Sequence, residues 1–112
     1  MIIIDSVRGT RKQQLERGRQ MTIEALAMKV AEYFKKVMKE EGFDTFTEMK
    51  ECYWWTSEDI KAEVNSVITE VANELGVGDM YLSDDGTFVQ VDTYHEISYR
   101  KFSAMFRAYI KK

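Results

Sequence analysis

SEDIKAEVNSVITEVANELG, residues 57–76, sets Ile60, Val64, Val67, Ile68, Val71 and Leu75 at intervals of three and four. That is the periodicity of a helix with one buried face. Thr56 or Ser57 can open it as N-cap and Gly76 can stop it, so the spacing predicts a helix over 57–75. One step round the cylinder from the apolar seam stand Asp59, Glu63, Glu70 and Glu74. Neighbouring pairs of these are like charges at i,i+4, which slightly destabilises an isolated helix. The compensation must come from outside the helix.

Upstream, Ile23, Leu26, Ala27, Val30, Phe34, Val37 and Met38 repeat the same period over 22–41, with Glu24 in the first turn and Gly42 past the end. Thr45-Phe46-Thr47-Glu48 has capping-box spacing and predicts a short helix over 46–52. Phe43, Phe46, Tyr53, Trp54 and Trp55 crowd the junction between these helices. Their expected role is to plug that corner, unless a tryptophan stands outside as a partner anchor, a residue type favoured in interface hot spots.

Downstream, 79–83 and 87–92 read as a hairpin around Asp85-Gly86, a pair preferred in two-residue turns. That register sets Leu82 against Val89 and Met80 against Val91. A last helix over 98–111 turns Tyr99, Phe102, Met105, Phe106, Tyr109 and Ile110 inward. A lone hairpin is marginal in water, so Ile2-Ile3-Ile4 is the expected third strand, or else a neighbouring chain supplies one. Residues 7–20, VRGTRKQQLERGRQ, form a flexible basic arm or a frayed helical extension. The expected fold is α+β, about four helices on a small antiparallel sheet, in a single domain spanning 1–112.

Several chemistries find little support. No apolar run approaches the roughly 18 residues needed to span a bilayer, and the isoleucines near the start are too few for a signal peptide, so a cytoplasmic protein with no membrane partner is expected. The lone histidine, His95, next to Glu96, would need a second titrating group placed by the fold for acid–base work and reads as a surface residue at the approach to the last helix, while Cys52, on a helix amid aromatics, reads as a small core residue. Asp84-Asp85-Gly86 lacks the other ligands of a calcium loop, and Gly76-Val77-Gly78 lacks the context of a phosphate loop. No catalytic residue, metal site or cofactor is expected, and the chain reads as no enzyme.

Charge is the sharper signal. Residues 1–42 carry nine basic and six acidic groups, 43–96 two basic and thirteen acidic, and 97–112 five basic and no acidic. The net charge of −3 therefore hides an acidic middle between two basic ends. The acids lie one residue before their seam positions, whereas Arg100, Arg107 and Lys111 lie one after theirs. Such stripes meet when two helices pack parallel and diverge when they pack antiparallel, the arrangement a returning hairpin favours. The expected surface is thus Asp59, Glu63, Glu70 and Glu74, with Glu58 and Trp54 or Trp55 at the edge, facing a basic protein partner. A nucleic-acid-binding enzyme, inhibited through its polyanion groove, is the first such partner to test. In size and charge layout the chain resembles the small inhibitory proteins that phages and mobile elements direct against host enzymes. Two alternatives stand beside this reading. One is nucleic-acid binding through Arg8, Arg11, Lys12, Arg17, Arg19, Arg100 and Arg107. The other is a structural or homo-oligomeric component that shares its N-terminal strand by strand addition.

Overall fold

The computed structural model describes residues 21–111. The strand expected over 2–4 and the cations Arg8, Arg11, Lys12, Arg17 and Arg19 lie outside the described residues. Within them the chain forms α1 (Ile23–Glu41), α2 (Phe46–Cys52), α3 (Ser57–Leu75), β1 (Tyr81–Leu82), β2 (Phe88–Asp92), β3 (His95–Ser98) and α4 (Tyr99–Ile110). The fold is α+β: four helices on a three-stranded antiparallel sheet in the order β1-β2-β3.

Hydroxyl caps start each of the four described helices. Thr22, Thr45, Thr56 and Ser98 accept from the N–H groups of Ala25, Glu48, Asp59 and Lys101 at 3.0, 3.0, 3.2 and 3.2 Å. Each satisfies a donor that has no partner within its helix, a contribution of about 1 kcal/mol. At Thr45 the reciprocal half of the box is displaced, since the Glu48 carboxylate accepts from the Asp44 N–H at 2.9 Å. Gly42 and Gly76 close α1 and α3 in the left-handed region, at φ 81° and 71°. That backbone carries no Cβ penalty in glycine.

Leu82 pairs with Val89 as the hairpin register requires, and Tyr81 with Gln90. The ladder ends there: Met80 is buried in the core beside the strands, while the Gln90 side chain donates to the Asp79 carbonyl at 3.1 Å. The turn is longer than the two-residue Asp85-Gly86 form. Ser83 N–H donates to the Phe88 carbonyl and Gly86 N–H to the Ser83 carbonyl, both at 2.9 Å, and of Asp85 and Gly86 only Gly86 has positive φ. The Asp85 carboxylate gathers the Thr87 hydroxyl at 2.7 Å, the Ser83 hydroxyl at 2.8 Å and the Thr87 N–H at 3.1 Å. These bonds, the Thr87 hydroxyl first, hold the Asp85 carboxyl below its usual range.

The third strand comes from His95–Ser98, read from sequence as the approach to the last helix. It pairs antiparallel to β2 with a register shift between Gln90 and Asp92. Such a bulge bends the ladder locally. The core lies between the sheet and the helices, where Leu26, Val30, Phe34, Met49, Val64, Ile68, Val89, Phe102 and Phe106 are fully enclosed. Helix α1 lies chiefly along α4 and also meets α2, α3, β2 and β3, whereas α3 rests on α1 and β1. Helices α3 and α4 are therefore separate neighbours of α1 and do not pair closely with each other.

Candidate functional site

Helix α2 ends abruptly. The Trp54 N–H donates to the Glu51 carbonyl at 3.2 Å and the Trp55 N–H reaches back to the Lys50 carbonyl at 3.0 Å. The residue between the helix and that last bond must turn left-handed, a position usually filled by glycine. Here it is Trp54, at φ 59°, the one non-glycine residue with positive φ among those described. Its side chain is 88% exposed. The other four aromatics close the corner as expected: Phe46 lies 5.1 Å and Trp55 6.0 Å from the Phe34 ring, Tyr53 lies 5.2 Å from Trp55, and Phe43 lies 5.6 Å from Tyr53. Trp54 alone of the five points away.

The carboxylates of α3 divide into two groups. Asp59 is occupied locally, its Oδ2 accepting from the Thr56 N–H at 2.9 Å and the Thr56 hydroxyl at 3.1 Å. Glu63 is half-buried and accepts a 2.7 Å bond from the Tyr33 hydroxyl of α1. Glu58, Glu70 and Glu74 are exposed. The last two stand with the exposed Asn65, Ser66, Thr69 and Asn73 on the outward side of α3. The only ion pair among the described residues joins His95 to Asp92, so none of these acids is matched by an arginine or lysine described here. Sequence spacing aligned the four seam-side carboxylates; it gave no sign that Tyr33, thirty positions away, would take one of them.

The Tyr33–Glu63 bond has a measurable signature. The hydrogen bond to Glu63, aided by burial and by the charges of Glu63 and Glu70, pushes the Tyr33 phenol up to about 12. Because the folded value is raised, the bond contributes stability below the usual tyrosine range, and this is lost as pH rises through about 12. Ultraviolet titration of the wild type minus Tyr33→Phe should isolate a phenol ionising well above the ordinary range. In Glu63→Gln it should move back down.

His95 is exposed as expected, its Nδ1 2.9 Å from Asp92 Oδ1. That bond is the leading cause holding the Asp92 carboxyl below its usual range. Cys52, expected inside, is exposed. It falls off the face by which α2 packs, where Met49 is buried and Phe46 half-buried. Of the C-terminal cations, Arg100 is exposed, while Arg107 is half-buried with its guanidinium carbon 5.2 Å from the Phe46 ring centroid. Among the described residues no group of three acidic, histidine or cysteine side chains could hold a metal ion, and no helix is long and apolar enough to cross a membrane.

Comparison of the chain with protein-family models, with curated proteins and with solved structures finds no match.

Proposed function

We propose that this protein is a non-catalytic interaction module that offers Trp54 and the outer face of α3 to a basic protein surface. The observation that carries the reading is the conformation of Trp54. An L-residue in the left-handed region costs about 1–2 kcal/mol, and an exposed indole gains little from the fold in return. Backbone strain of this kind concentrates at functional positions, and tryptophan is enriched among residues that dominate binding energy. Glu58 lies close by in the chain, in the first turn of α3, while Glu70 and Glu74 stand near the far end, on the order of 120° and 160° round the helix from it. From residue 58 to residue 74 the helix rises about 24 Å at about 1.5 Å per residue.

A nucleic-acid-binding enzyme is the first partner to test, because its basic groove complements exposed carboxylates such as Glu70 and Glu74. Occupying that groove would inhibit the enzyme. Long-range attraction would speed the encounter and make it salt-dependent.

The test reverses Glu70 and Glu74, which are not tied to the fold, and leaves Asp59 and Glu63 intact. Glu70→Lys with Glu74→Lys should leave thermal stability within about 0.5 kcal/mol of wild type, as expected of exposed positions. Affinity for the partner captured at low salt should fall roughly tenfold or more, and its salt dependence should flatten. Full binding by a folded double variant would refute the acidic-face reading.

A further inference from the structure

On the side of the molecule where the β1–β2 turn meets the start of α4, the chain builds a groove of about 530 Å³. Lys61, Arg100 and Arg107 border it, together with Ser57, Gly86 and Tyr99. The position of each follows from the fold. The Tyr99 N–H donates to the Thr87 carbonyl at 2.8 Å, which ties the turn to the first residue of α4. Arg100, Ser103 and Arg107 then recur at three and four along that helix and reach the same groove. Lys61, one turn into α3, lays its ammonium 5.1 Å from the Tyr99 ring centroid. A Cβ on Gly86 would lie 3.1 Å from that ammonium, so this glycine leaves the space the lysine occupies. First-turn residues of both α3 and α4 border the groove, and the positive ends of two helix dipoles are therefore added to three formal charges.

None of the three cations forms an ion pair among the described residues, and the Arg107 Nε is buried without a hydrogen-bond partner. Arg107 is also held in place by the Phe46 ring beneath its guanidinium. Three like charges brought to one groove, one of them partly desolvated, are costly unless an anion joins them.

We infer that this groove binds a compact phosphoryl dianion, free or as the end group of a small phosphate monoester, with Lys61, Arg100, Arg107 and the Ser57 hydroxyl as its donors. Size and surroundings argue against an extended polyanion. Lys61 and Gly86 also border an adjoining groove lined by Glu58, Asp84 and Asp85, whose carboxylates would repel a strand running on past the cations. The half-buried Tyr99 ring on the groove wall, over which the Lys61 ammonium lies, is the apolar surface that a group esterified to the phosphate would meet. Guanidinium and ammonium groups suit the remaining oxygens, since charge-assisted bonds to phosphate are among the strongest polar contacts. Its residues are distinct from Trp54, Glu70 and Glu74, and the site stands whether or not those bind a protein.

The experiment is calorimetric titration of the full chain at low ionic strength with inorganic phosphate and with phenyl phosphate, against chloride at equal ionic strength. Saturable one-to-one binding of either phosphate is expected, with no such binding of chloride. Tighter binding of phenyl phosphate would assign the site to monoesters, and equal or weaker binding to free phosphate. Arg107→Gln should weaken it roughly tenfold, the loss of one charge-assisted contact. Arg100→Gln, which removes an exposed side chain and leaves the packing on Phe46 untouched, should do the same. The inference is overturned if neither phosphate saturates, or if both variants bind as wild type does. It is equally overturned if a single-stranded oligonucleotide binds far more tightly than phosphate through these same residues.

Discussion

Phe34→Ala is expected to cost about 3–5 kcal/mol of folding stability, the range for truncating an enclosed aromatic side chain. Phe34 is completely buried, and its ring stacks on Phe106 at 5.7 Å and meets Phe46 and Trp55 edge-on. One side chain thus joins α1 to α4, to α2 and to the link between α2 and α3. Aromatic pairs add about 0.5–1.5 kcal/mol beyond their buried area, which puts the upper half of the range in reach. Native stabilities lie at about 5–15 kcal/mol, so this change would remove a large share. In thermal unfolding followed by circular dichroism, the midpoint should fall on the order of 20 °C. A fall of only a few degrees would mean that the aromatic junction does not hold the helices together. Met28, on the same helix but exposed, is the matched control: Met28→Ala should change stability by less than about 0.5 kcal/mol.

Trp54→Gly should act with opposite signs on stability and on binding. Glycine adopts the left-handed backbone without the Cβ penalty, partly offset by the greater freedom it gives the unfolded chain. The exposed indole has little packing to lose, so a net gain of up to about 1 kcal/mol is expected, a rise of several degrees in the unfolding midpoint. Affinity for a protein partner should fall by at least about 2 kcal/mol, or roughly thirtyfold, as for a hot-spot tryptophan. Trp54→Phe, which keeps an aromatic ring and the strain, should retain part of the affinity and none of the added stability. If the glycine variant becomes more stable and still binds fully, Trp54 is no anchor. If it becomes less stable, the ring has a structural role and the strain argument fails.

The helices were legible because their ends are written locally. The spans read over 46–52 and 57–75 match α2 and α3, and the other two differ by a single residue at their ends. Thr22, Thr45, Thr56 and Ser98 cap within three residues of themselves, and Gly42 and Gly76 stop the chain in place. The third strand was not legible. His95–Ser98 is short, and its pairing depends on a register shift in β2 between Gln90 and Asp92 that no local pattern announces.

The candidate surface was half legible for a similar reason. Helical spacing sufficed to line up Asp59, Glu63, Glu70 and Glu74, but a cap removes the first from the open face and a hydroxyl from α1 removes the second. Trp54 could be named only as one of two tryptophans, since its left-handed backbone arises from how α2 ends and no glycine marks the place. The groove of Lys61, Arg100 and Arg107 assembles residues up to 46 positions apart, and only the two arginines were legible beforehand, as charges on a helix.

The pairing of α1 with α4 sets the timing of folding during synthesis. Phe34 finds Phe106 only after the intervening sheet and α3 have been made, so the aromatic centre cannot close while Ile110 is still inside the ribosome. Until then α1 carries an uncovered apolar flank, the kind of surface that chaperones hold and that aggregates when crowded. A stalled chain lacking α4 should therefore be protease-sensitive throughout, and emergence of α4 should protect the fold in one step.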